Sequence, residues 1–196
     1  MFLALTSNKK FWTKDSEEII FLGKWCVKNI DFSLENKNEI VKYHWLKSDE
    51  ILNAQKYIFE LYEKLIKKFS LELNKYHNLN LSETYWEYLM GYWLWLYLQN
   101  LYDKYLSLEQ AEKKYPNIKV IVNKKNFNCK NLSEFYELAH KDEYIYYSYS
   151  QIILNSNFNF QIKICDENYD YFQDINKNKL QKKTKFFNFL NFNFLK

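Results

Sequence analysis

The sequence predicts an α/β protein in which a small, mostly parallel β-sheet is flanked by long amphipathic and buried helices. Short apolar runs at residues 2–5 and 19–22 have the length and continuity of strands that are buried on both faces. About a dozen residues separate these runs, which is the crossover length that a parallel βαβ connection needs. Further along the chain, two long segments carry apolar residues at helical spacing.

Four strands are expected, each from an apolar run beside polar or turn residues. In chain order they are residues 2–5, 19–22, 39–44 and 119–122. Thr6 and Ser7 follow the first strand and can cap a short helix, and Gly23 ends the second. Because parallel strands present their carboxyl ends at one edge of a sheet, where ligand crevices form, residues that follow these strands are candidates for a site.

Two strong helices are expected between the third and fourth strands. The first has Ser48 as its N-cap and ends near residue 78. Its apolar face consists of Ile51, Ala54, Ile58, Leu61, Leu65 and Phe69. The second runs from Ser82 to about residue 105. Because it is apolar on nearly every side around Trp93, we expect it to be a central buried helix.

The remaining chain divides into the end of the α/β domain and a tail. Shorter helices are expected after Ser107, where Pro116 stops the helix, and at residues 133–140 and 142–154. The α/β domain is expected to cover residues 1–160. Residues 161–196 are expected to form a poorly ordered tail that is rich in Lys, Asn and Phe.

The charge of the chain argues against nucleic acid as a partner. All 28 basic residues are Lys, and six of them lie in residues 175–196, where there is no acidic residue. The other 22 Lys face 24 acidic residues in the rest of the chain, which therefore carries a net charge of −2. A nucleic-acid-binding domain usually has a basic face, and Arg is the residue that most often reads bases.

Cysteine usage and hydropathy favour a cytoplasmic protein. Cys26, Cys129 and Cys165 are an odd number of widely spaced cysteines without a CxxC motif, which fits reduced thiols and no zinc site. No signal peptide is expected, since the N-terminus lacks a charged region and a long apolar region. The longest apolar run, residues 88–98, is shorter than the roughly 20 residues of a membrane span.

No motif for a nucleotide, cofactor or catalytic metal is present. The sequence contains no GxGxxG, Walker, HExxH or GxSxG pattern, and its two Gly residues cannot form a Gly-rich phosphate cradle. We therefore expect no cofactor and no metal. The absence also argues against a self-contained nucleotide-dependent enzyme.

Two clusters at strand ends are candidates for a site. After the second strand, Gly23 allows close backbone approach, Lys24 can contact an anion and Trp25 can contact substrate. The alternative is an ordinary turn with a packing Trp. After the third strand, His44 can be a general base for a sugar hydroxyl, because a histidine pKa lies near neutrality. The alternative is a half-buried histidine bonded to backbone.

A third cluster is the aromatic helix. Tyr85, Trp86 and Trp93 have apolar ring faces with polar rims, which suits stacking on sugar rings. The alternative is that these residues form core. Gly91 costs about 1 kcal/mol relative to Ala inside a helix, so close packing against another element is expected there.

Structural roles are expected for Asp103, Lys104 and Cys26. Asp103 and Lys104 are expected to be a pair at the surface or at a helix end. Cys26 has no histidine partner in the sequence and is expected to be a buried, unreactive thiol.

Several short motifs in a fixed order resemble the N-terminal part of a family of transferases. They are, in chain order, FLALT, IIFLGKWC, YHW, YIFELYEKL, TYWEYLMGYWLW and LYDKYLSLEQA. The resemblance covers about residues 2–111, and the genes of that family lie in O-antigen and other surface-polysaccharide loci. Its members are several hundred residues long, so this chain resembles about their first third.

The resemblance implies a partial Rossmann-like or glycosyltransferase-like domain that transfers a glycosyl or related group. It implies a nucleotide sugar as donor and a glycan as acceptor, with this chain as the acceptor-side domain and the isolated chain inactive. Lys24, Trp25 and His44 are then expected to meet near Tyr85, Trp86 or Trp93. A weak contact between the basic tail and a membrane is a further expectation.

A different class of function stays open. Lys104 stands where the family pattern has Arg, and Lys cannot reproduce the bidentate phosphate contact of Arg. Thr84 and Glu87 stand where basic residues are expected beside Tyr85 and Trp86. The alternative is a non-catalytic interaction protein, or a gene remnant that retains only the N-terminal fold.

Overall fold

The computed structural model describes residues 1–13, 18–28, 39–124 and 132–165. The chain divides into two compact units. The sheet unit comprises Met1–Lys42 and Ser107–Lys196, and the hairpin unit comprises Tyr43–Leu106. The expectation of one α/β domain over residues 1–160 stays a prediction.

The sheet unit contains a five-stranded β-sheet in which every described strand pair is parallel. The strands are β1 (Phe2–Ala4), β2 (Ile19–Phe21), β3 (Glu39–Ile40), β4 (Lys119–Val122) and β5 (Gln161–Ile164). Their order is β3-β2-β1-β4-β5, so the direction of winding reverses between β1 and β4. The predicted α/β fold with a parallel sheet is confirmed.

Burial of the central strands stabilises this sheet. All of β1 is buried, as are Ile20 and Phe21 of β2 and Val120 and Val122 of β4. Each large apolar side chain that is fully buried contributes about 1.5–3 kcal/mol. The continuous apolar runs seen in the sequence therefore correspond to strands that are covered on both faces.

Two strands differ from the sequence-based expectation. β3 ends at Ile40 and does not continue to residue 44, so His44 lies in the segment that follows it. β5 was missed, because its four residues alternate polar and apolar and all are exposed at the edge of the sheet. The sheet thus extends into the segment assigned to the tail. Residues 166–196, the rest of that predicted tail, lie outside the described residues.

The hairpin unit is built from α1 (Ser48–His77) and the first part of α2 (Glu83–Lys114). The predicted apolar face of α1 is largely confirmed, since Ala54, Ile58, Leu65 and Phe69 are buried. Asn78 ends the helix in the left-handed conformation, with φ of 53°. This agrees with the predicted end near residue 78.

The two helix starts were predicted with different success. Ser48 is the first helical residue and Lys47 occupies the N-cap position without a side-chain hydrogen bond, so the predicted Ser48 cap is wrong. Ser82 does cap α2, because its Oγ accepts a hydrogen bond from the Tyr85 backbone N–H at 3.2 Å. A cap of this kind satisfies an N–H group that has no partner inside the helix.

α2 differs from its prediction in length and burial. It is one continuous helix to Lys114, without the expected break before Ser107. No Gly or Pro lies between Tyr92 and Lys114, so the backbone has no strong local reason to leave the helix. The helix is not buried on all sides, since Tyr88 is 90% exposed and Tyr92 is 72% exposed.

α1 and α2 approach closely at Gly91. A Cβ atom at this position would lie 2.4 Å from the hydroxyl oxygen of Tyr62 on α1. The same hydroxyl donates a hydrogen bond to Glu87 Oε1 at 3.1 Å. The expectation that Gly91 allows close packing against another element is confirmed.

Two helices complete the sheet unit. α3 (Leu132–Ala139) and α4 (Asp142–Asn155) agree with the predictions to within one residue at each end. α4 buries seven residues, among them four tyrosines, and the ring of Tyr146 stacks on Phe11 with centroids 3.9 Å apart. Aromatic stacking of this kind adds about 0.5–1.5 kcal/mol to simple burial.

The turn of the hairpin is held by the side chain of Asn74. Its Nδ2 donates to the Leu81 carbonyl at 2.8 Å, and its Oδ1 accepts from the Leu81 backbone N–H at 3.0 Å. The same Oδ1 accepts from Trp86 Nε1 at 2.9 Å. One amide therefore ties the end of α1 to the connecting segment and to the first turn of α2.

We expect Asn74→Ala to lower the free energy of unfolding by roughly 2–4 kcal/mol. It removes three hydrogen bonds, each of which contributes about 1 kcal/mol, and leaves the buried Trp86 N–H without its acceptor. Urea unfolding followed by tryptophan fluorescence measures the change. Asn80→Ala, at an exposed site in the same connection, is the matched control. Equal effects of the two substitutions would contradict the role of Asn74.

Candidate functional site

A cleft of about 560 Å³ lies between α1 and α2 within the hairpin unit. Its volume is within the range of about 300–1,000 Å³ that is typical of ligand pockets. Its aromatic lining residues are Tyr43, Trp45 and Trp95, and its amide lining residues are Gln55, Gln99 and Asn100. Aliphatic side chains and Asp103 complete the lining.

Asp103 is the contact point for three consecutive aromatic residues at one end of this cleft. Its Oδ1 accepts a hydrogen bond from Trp45 Nε1 at 2.5 Å and from the Tyr43 hydroxyl at 3.2 Å. His44 Nε2 also lies 3.2 Å from the same oxygen. The His44 contact has the distance but not the angle of a hydrogen bond, so we treat it as an electrostatic contact.

These contacts determine the ionisation of Asp103. Burial by itself raises the pKa of this carboxyl, because the charged form loses solvation. The contacts from His44, Trp45 and Tyr43 lower the pKa and outweigh burial, so that it lies below the ordinary value. Asp103 is therefore ionised at neutral pH, and its side chain is still 34% exposed.

The side chain of His44 is covered by its neighbours. Its side chain is only 5% exposed, and its ring lies 4.9 Å from Tyr43 and 4.5 Å from Trp45, measured between ring centroids. The cleft is lined by both of these neighbours and by Asp103. The role of His44 as a base stays a prediction, and its Nε2 faces the Asp103 carboxylate.

Lys104 is buried, which corrects the expectation that Asp103 and Lys104 form a pair at the surface or at a helix end. Its side chain donates a hydrogen bond to Asn100 Oδ1, and the residue is only 7% exposed. Burial lowers the pKa of Lys104 to about 8, although the nearby Asp103 charge acts to raise it. The amine thus orients an amide that lines the cleft.

Tyr85 and Trp86 lie far from this cleft. Trp86 is buried at the hairpin turn, where its Nε1 binds Asn74. A helix rises about 1.5 Å per residue, so Trp86 lies about 25 Å along α2 from Asp103. The structure therefore does not bring Trp86 and His44 together. Tyr85 is half exposed beside Trp86, with ring centroids 5.6 Å apart.

Trp93 also packs within its own helix, and its neighbour Trp95 lines the cleft instead. The Trp93 ring stacks on Tyr97 with a centroid distance of 5.1 Å. Trp95, Gln99 and Asp103 follow one another at four-residue steps and share one face of α2. This face was missed, although the spacing of its polar residues is visible in the sequence.

Lys24 and Trp25 lie in the sheet unit, just after the carboxyl end of β2. Lys24 is exposed. Trp25 donates from Nε1 to the Leu5 carbonyl at 3.1 Å and stacks on Tyr149 at 6.2 Å. The close approach at Gly23 is made by the Trp25 ring, 2.1 Å from where a Cβ would be. The proposed ligand contacts of Lys24 and Trp25, and their meeting with His44, stay predictions.

Cys26 is an unreactive thiol, in agreement with the sequence-based interpretation. It is fully buried, and its Sγ donates to the Ala4 carbonyl at 3.3 Å. Burial raises the pKa of the thiol to about 12, because the thiolate would lose solvation. The reactive thiolate form is therefore negligible near neutral pH.

The described residues contain neither a cluster of metal ligands nor a membrane-spanning helix. Within residues 1–13, 18–28, 39–124 and 132–165, no group of three or more His, Cys, Asp or Glu side chains is placed to hold a metal ion. In the same part of the chain, no helix has the length and apolar character needed to cross a membrane. We call the cleft between α1 and α2 the hairpin cleft.

Comparison with known proteins gives one match. A family model described as LIC12162 family transferase matches residues 1–196. No curated protein matches the chain, and no solved structure matches it. The family match agrees with the transferase resemblance of the short motifs in the sequence.

We expect Asp103→Asn to lower the free energy of unfolding by roughly 1–3 kcal/mol at neutral pH, the usual range for hydrogen bonds to a charged group. The folded-state pKa of Asp103 is lowered, so its contribution is present above the unfolded value of about 3.8 and is lost as pH falls through the folded value. The gap between wild type and variant should therefore begin to narrow as pH falls below about 4.

Unfolding curves between pH 3 and pH 8 measure this dependence. Glu60→Gln is the matched control, because Glu60 is an exposed carboxylate on α1. Its effect should stay within about 0.5 kcal/mol. A difference between wild type and Asp103→Asn that does not change across this pH range would contradict the assignment.

Proposed function

The chain belongs to the LIC12162 family of transferases, and we propose that it transfers a sugar or related group onto a growing bacterial surface polysaccharide such as O-antigen. In this proposal the hairpin cleft holds the glycan acceptor, and a nucleotide sugar is the donor. The resemblance of residues 2–111 to transferases of polysaccharide loci supports the chemistry. The composition of the cleft supports the acceptor role.

The observation that carries the proposal is the pairing of aromatic and amide side chains in one cleft. Trp45 and Trp95 present ring faces suited to the apolar faces of sugar rings. Gln55, Gln99 and Asn100 present amide donors and acceptors suited to sugar hydroxyls. A volume of about 560 Å³ is sufficient for a short glycan segment.

Asp103 is the charged group that an acceptor hydroxyl meets in this cleft. In glycosyl transfer, the hydroxyl oxygen bonds to the anomeric carbon of the donor as the bond from that carbon to the phosphate oxygen breaks. The nucleotide diphosphate leaves with the electron pair, and the hydroxyl proton passes to a base. We assign the hydroxyl contact to the Asp103 carboxylate, and His44, whose Nε2 lies 3.2 Å from Asp103 Oδ1, stays the proposed base that receives the proton.

The donor requires groups outside the cleft. The sequence has no Gly-rich phosphate loop, so we propose that this chain is the acceptor-side domain of a longer transferase. Lys24 stays the proposed anion contact, at the carboxyl end of β2 where open α/β sheets bind ligands.

The compartment and the tail are also part of the proposal. Three widely spaced cysteines fit reduced thiols, so we propose that the reaction occurs in the cytoplasm. Residues 176–196 lie outside the described residues, and their six Lys support a proposed weak contact with anionic lipid.

A non-catalytic interaction role is the second candidate, and one observation favours it. Tyr85, Tyr88, Leu89 and Tyr92 recur at helical spacing on α2, and all four are exposed. A contiguous exposed apolar stripe often marks a protein interaction site. Sugar binding in the cleft separates the two functions, because an interaction role does not require it.

The isolated chain is expected to show no steady turnover of nucleotide sugars. Its sequence has no phosphate cradle to hold a nucleotide sugar. The anomeric carbon of the donor, which is the electrophile of the transfer, is therefore not brought to the acceptor. Release of the nucleoside diphosphate from UDP-, GDP- and dTDP-sugars, and of CMP from CMP-sugars, measures this directly. Steady transfer or hydrolysis from any of them would show that the chain holds a donor site.

Trp95→Ala is expected to weaken the binding of a neutral disaccharide about tenfold. A stacked aromatic ring contributes about 0.5–1.5 kcal/mol beyond burial, and 1.4 kcal/mol corresponds to a factor of ten. Calorimetry with cellobiose, maltose and N,N′-diacetylchitobiose measures the dissociation constants. Tyr88→Ala on the exposed face of the same helix is the control and should leave binding unchanged. Absence of binding to all three sugars would remove support for the acceptor site.

A further inference from the structure

Three tyrosines on α2 expose their rings to solvent in a regular row. Tyr85 is half exposed, Tyr88 is 90% exposed and Tyr92 is 72% exposed. They follow one another at steps of three and four residues, so they share one face of the helix. A further step of three residues leads to Trp95, which lines the hairpin cleft. These four rings, which we call the aromatic row, therefore lead out of the cleft along α2.

The spacing of the aromatic row corresponds to the repeat of a sugar chain. A helix rises about 1.5 Å per residue, so neighbouring rings of the row are offset by about 4.5–6 Å along α2. This offset is close to the length of one pyranose unit in an extended glycan. Tyr88 lies about 10 Å from Trp95 along the helix axis, which is the length of about two such units. Successive rings can thus contact successive sugar units.

The hairpin cleft and the aromatic row lie on the same face of α2. Gln99 and Asp103 continue from Trp95 at four-residue steps, and all three line the cleft. A volume of about 560 Å³ holds only a short glycan segment, so a longer acceptor extends beyond the cleft. The row is the surface that such a chain meets when it continues along the same face toward the start of α2.

The side chains of the aromatic row fit a glycan better than a second helix. Steps of three and four residues are also the seam of a coiled coil, but that seam is usually built from Leu, Ile or Val. The row consists of Tyr and Trp, whose rings combine an apolar face with a polar rim. These faces suit the apolar faces of sugar rings, and the phenol hydroxyls can donate to or accept from sugar hydroxyls.

We propose that the aromatic row is a glycan-binding surface that extends the hairpin cleft, so that the chain binds an acceptor of four or five sugar units more tightly than a disaccharide. This inference rests on the proposed function, because it specifies the length of the acceptor in that site. The acceptor end that receives the new sugar lies in the cleft near Asp103. The preceding units stack in turn on Tyr92, Tyr88 and Tyr85.

The test measures how affinity depends on the length of neutral glycans, with the full chain at pH 7. Calorimetry compares cellobiose, maltose and N,N′-diacetylchitobiose with the tetra- and pentasaccharides of the same three series. We expect the pentasaccharide of a series that binds to have a dissociation constant about tenfold lower than its disaccharide. This factor corresponds to about 1.4 kcal/mol, which is within the contribution of two further stacked rings.

Substitutions in the row locate the gain in affinity. Tyr88→Ala should weaken pentasaccharide binding about threefold and leave the disaccharide unchanged, because one stacked ring is lost outside the cleft. Tyr88→Ala combined with Tyr92→Ala should remove most of the gain, whereas Tyr88→Phe, which keeps the ring face, should retain it. Tyr88 is almost fully exposed, so its substitution removes little buried surface and the variant is expected to fold.

Leu71→Ala is the matched control, because it removes an exposed apolar side chain from the other helix. Leu71 lies 16 and 20 positions from Gln55 and Ile51 of the cleft lining, which are about four and a half and five and a half turns. It is therefore on the opposite side of α1 and should leave the gain unchanged. A gain that is lost in Leu71→Ala, or retained in the double variant of Tyr88 and Tyr92, would overturn the proposal.

The outcomes separate this inference from the proposed function. Equal dissociation constants for disaccharide and pentasaccharide would overturn the inference and leave the acceptor site in the cleft intact. Analytical ultracentrifugation adds a readout for a protein partner: self-association that the double variant of Tyr88 and Tyr92 abolishes, without any dependence of affinity on glycan length, would assign the row to a protein interface. If no glycan of any length binds, the acceptor site and the inference fail together.

Discussion

The convergence of three aromatic residues on Asp103 is the interaction on which the hairpin unit depends. A carboxylate that is largely covered by protein must be compensated by donors, since an unpaired buried charge is costly. Trp45 and Tyr43 supply donors to one carboxylate oxygen, and His44 contacts the same atom. This fixes the segment before α1 against the second helix, and two of its three side chains then form a wall of the cleft.

Trp86 and Trp95 have different roles in the hairpin unit, and their contacts show this difference. Trp86 is buried and gives its N–H to Asn74, so its ring is part of the turn. Trp95 meets Phe59 and Tyr62 edge-on and still lines the cleft. Both side chains can stack on a ring. Their roles differ because they contact different residues of α1, and the sequence of the aromatic helix does not specify those contacts.

Local pattern predicted most of the fold because strand and helix periods are local properties. β1, β2, β4, α1, α3 and α4 were all located within one or two residues. β5 was missed because an exposed edge strand has no apolar run. α2 was predicted as two helices, because Ser107 resembles an N-cap residue. The site was predicted less well. His44 and Asp103 are 59 positions apart, and their contact depends on the length of both helices, which no local pattern reports.

The buried Lys104 completes the chemistry of the cleft without entering it. Its ammonium donates to Asn100 Oδ1, and this occupies the acceptor end of that amide. Asp103 supplies an acceptor one helical turn away on the same lining. The lysine therefore orients an amide of the cleft lining, while Asp103 supplies its ionised carboxylate.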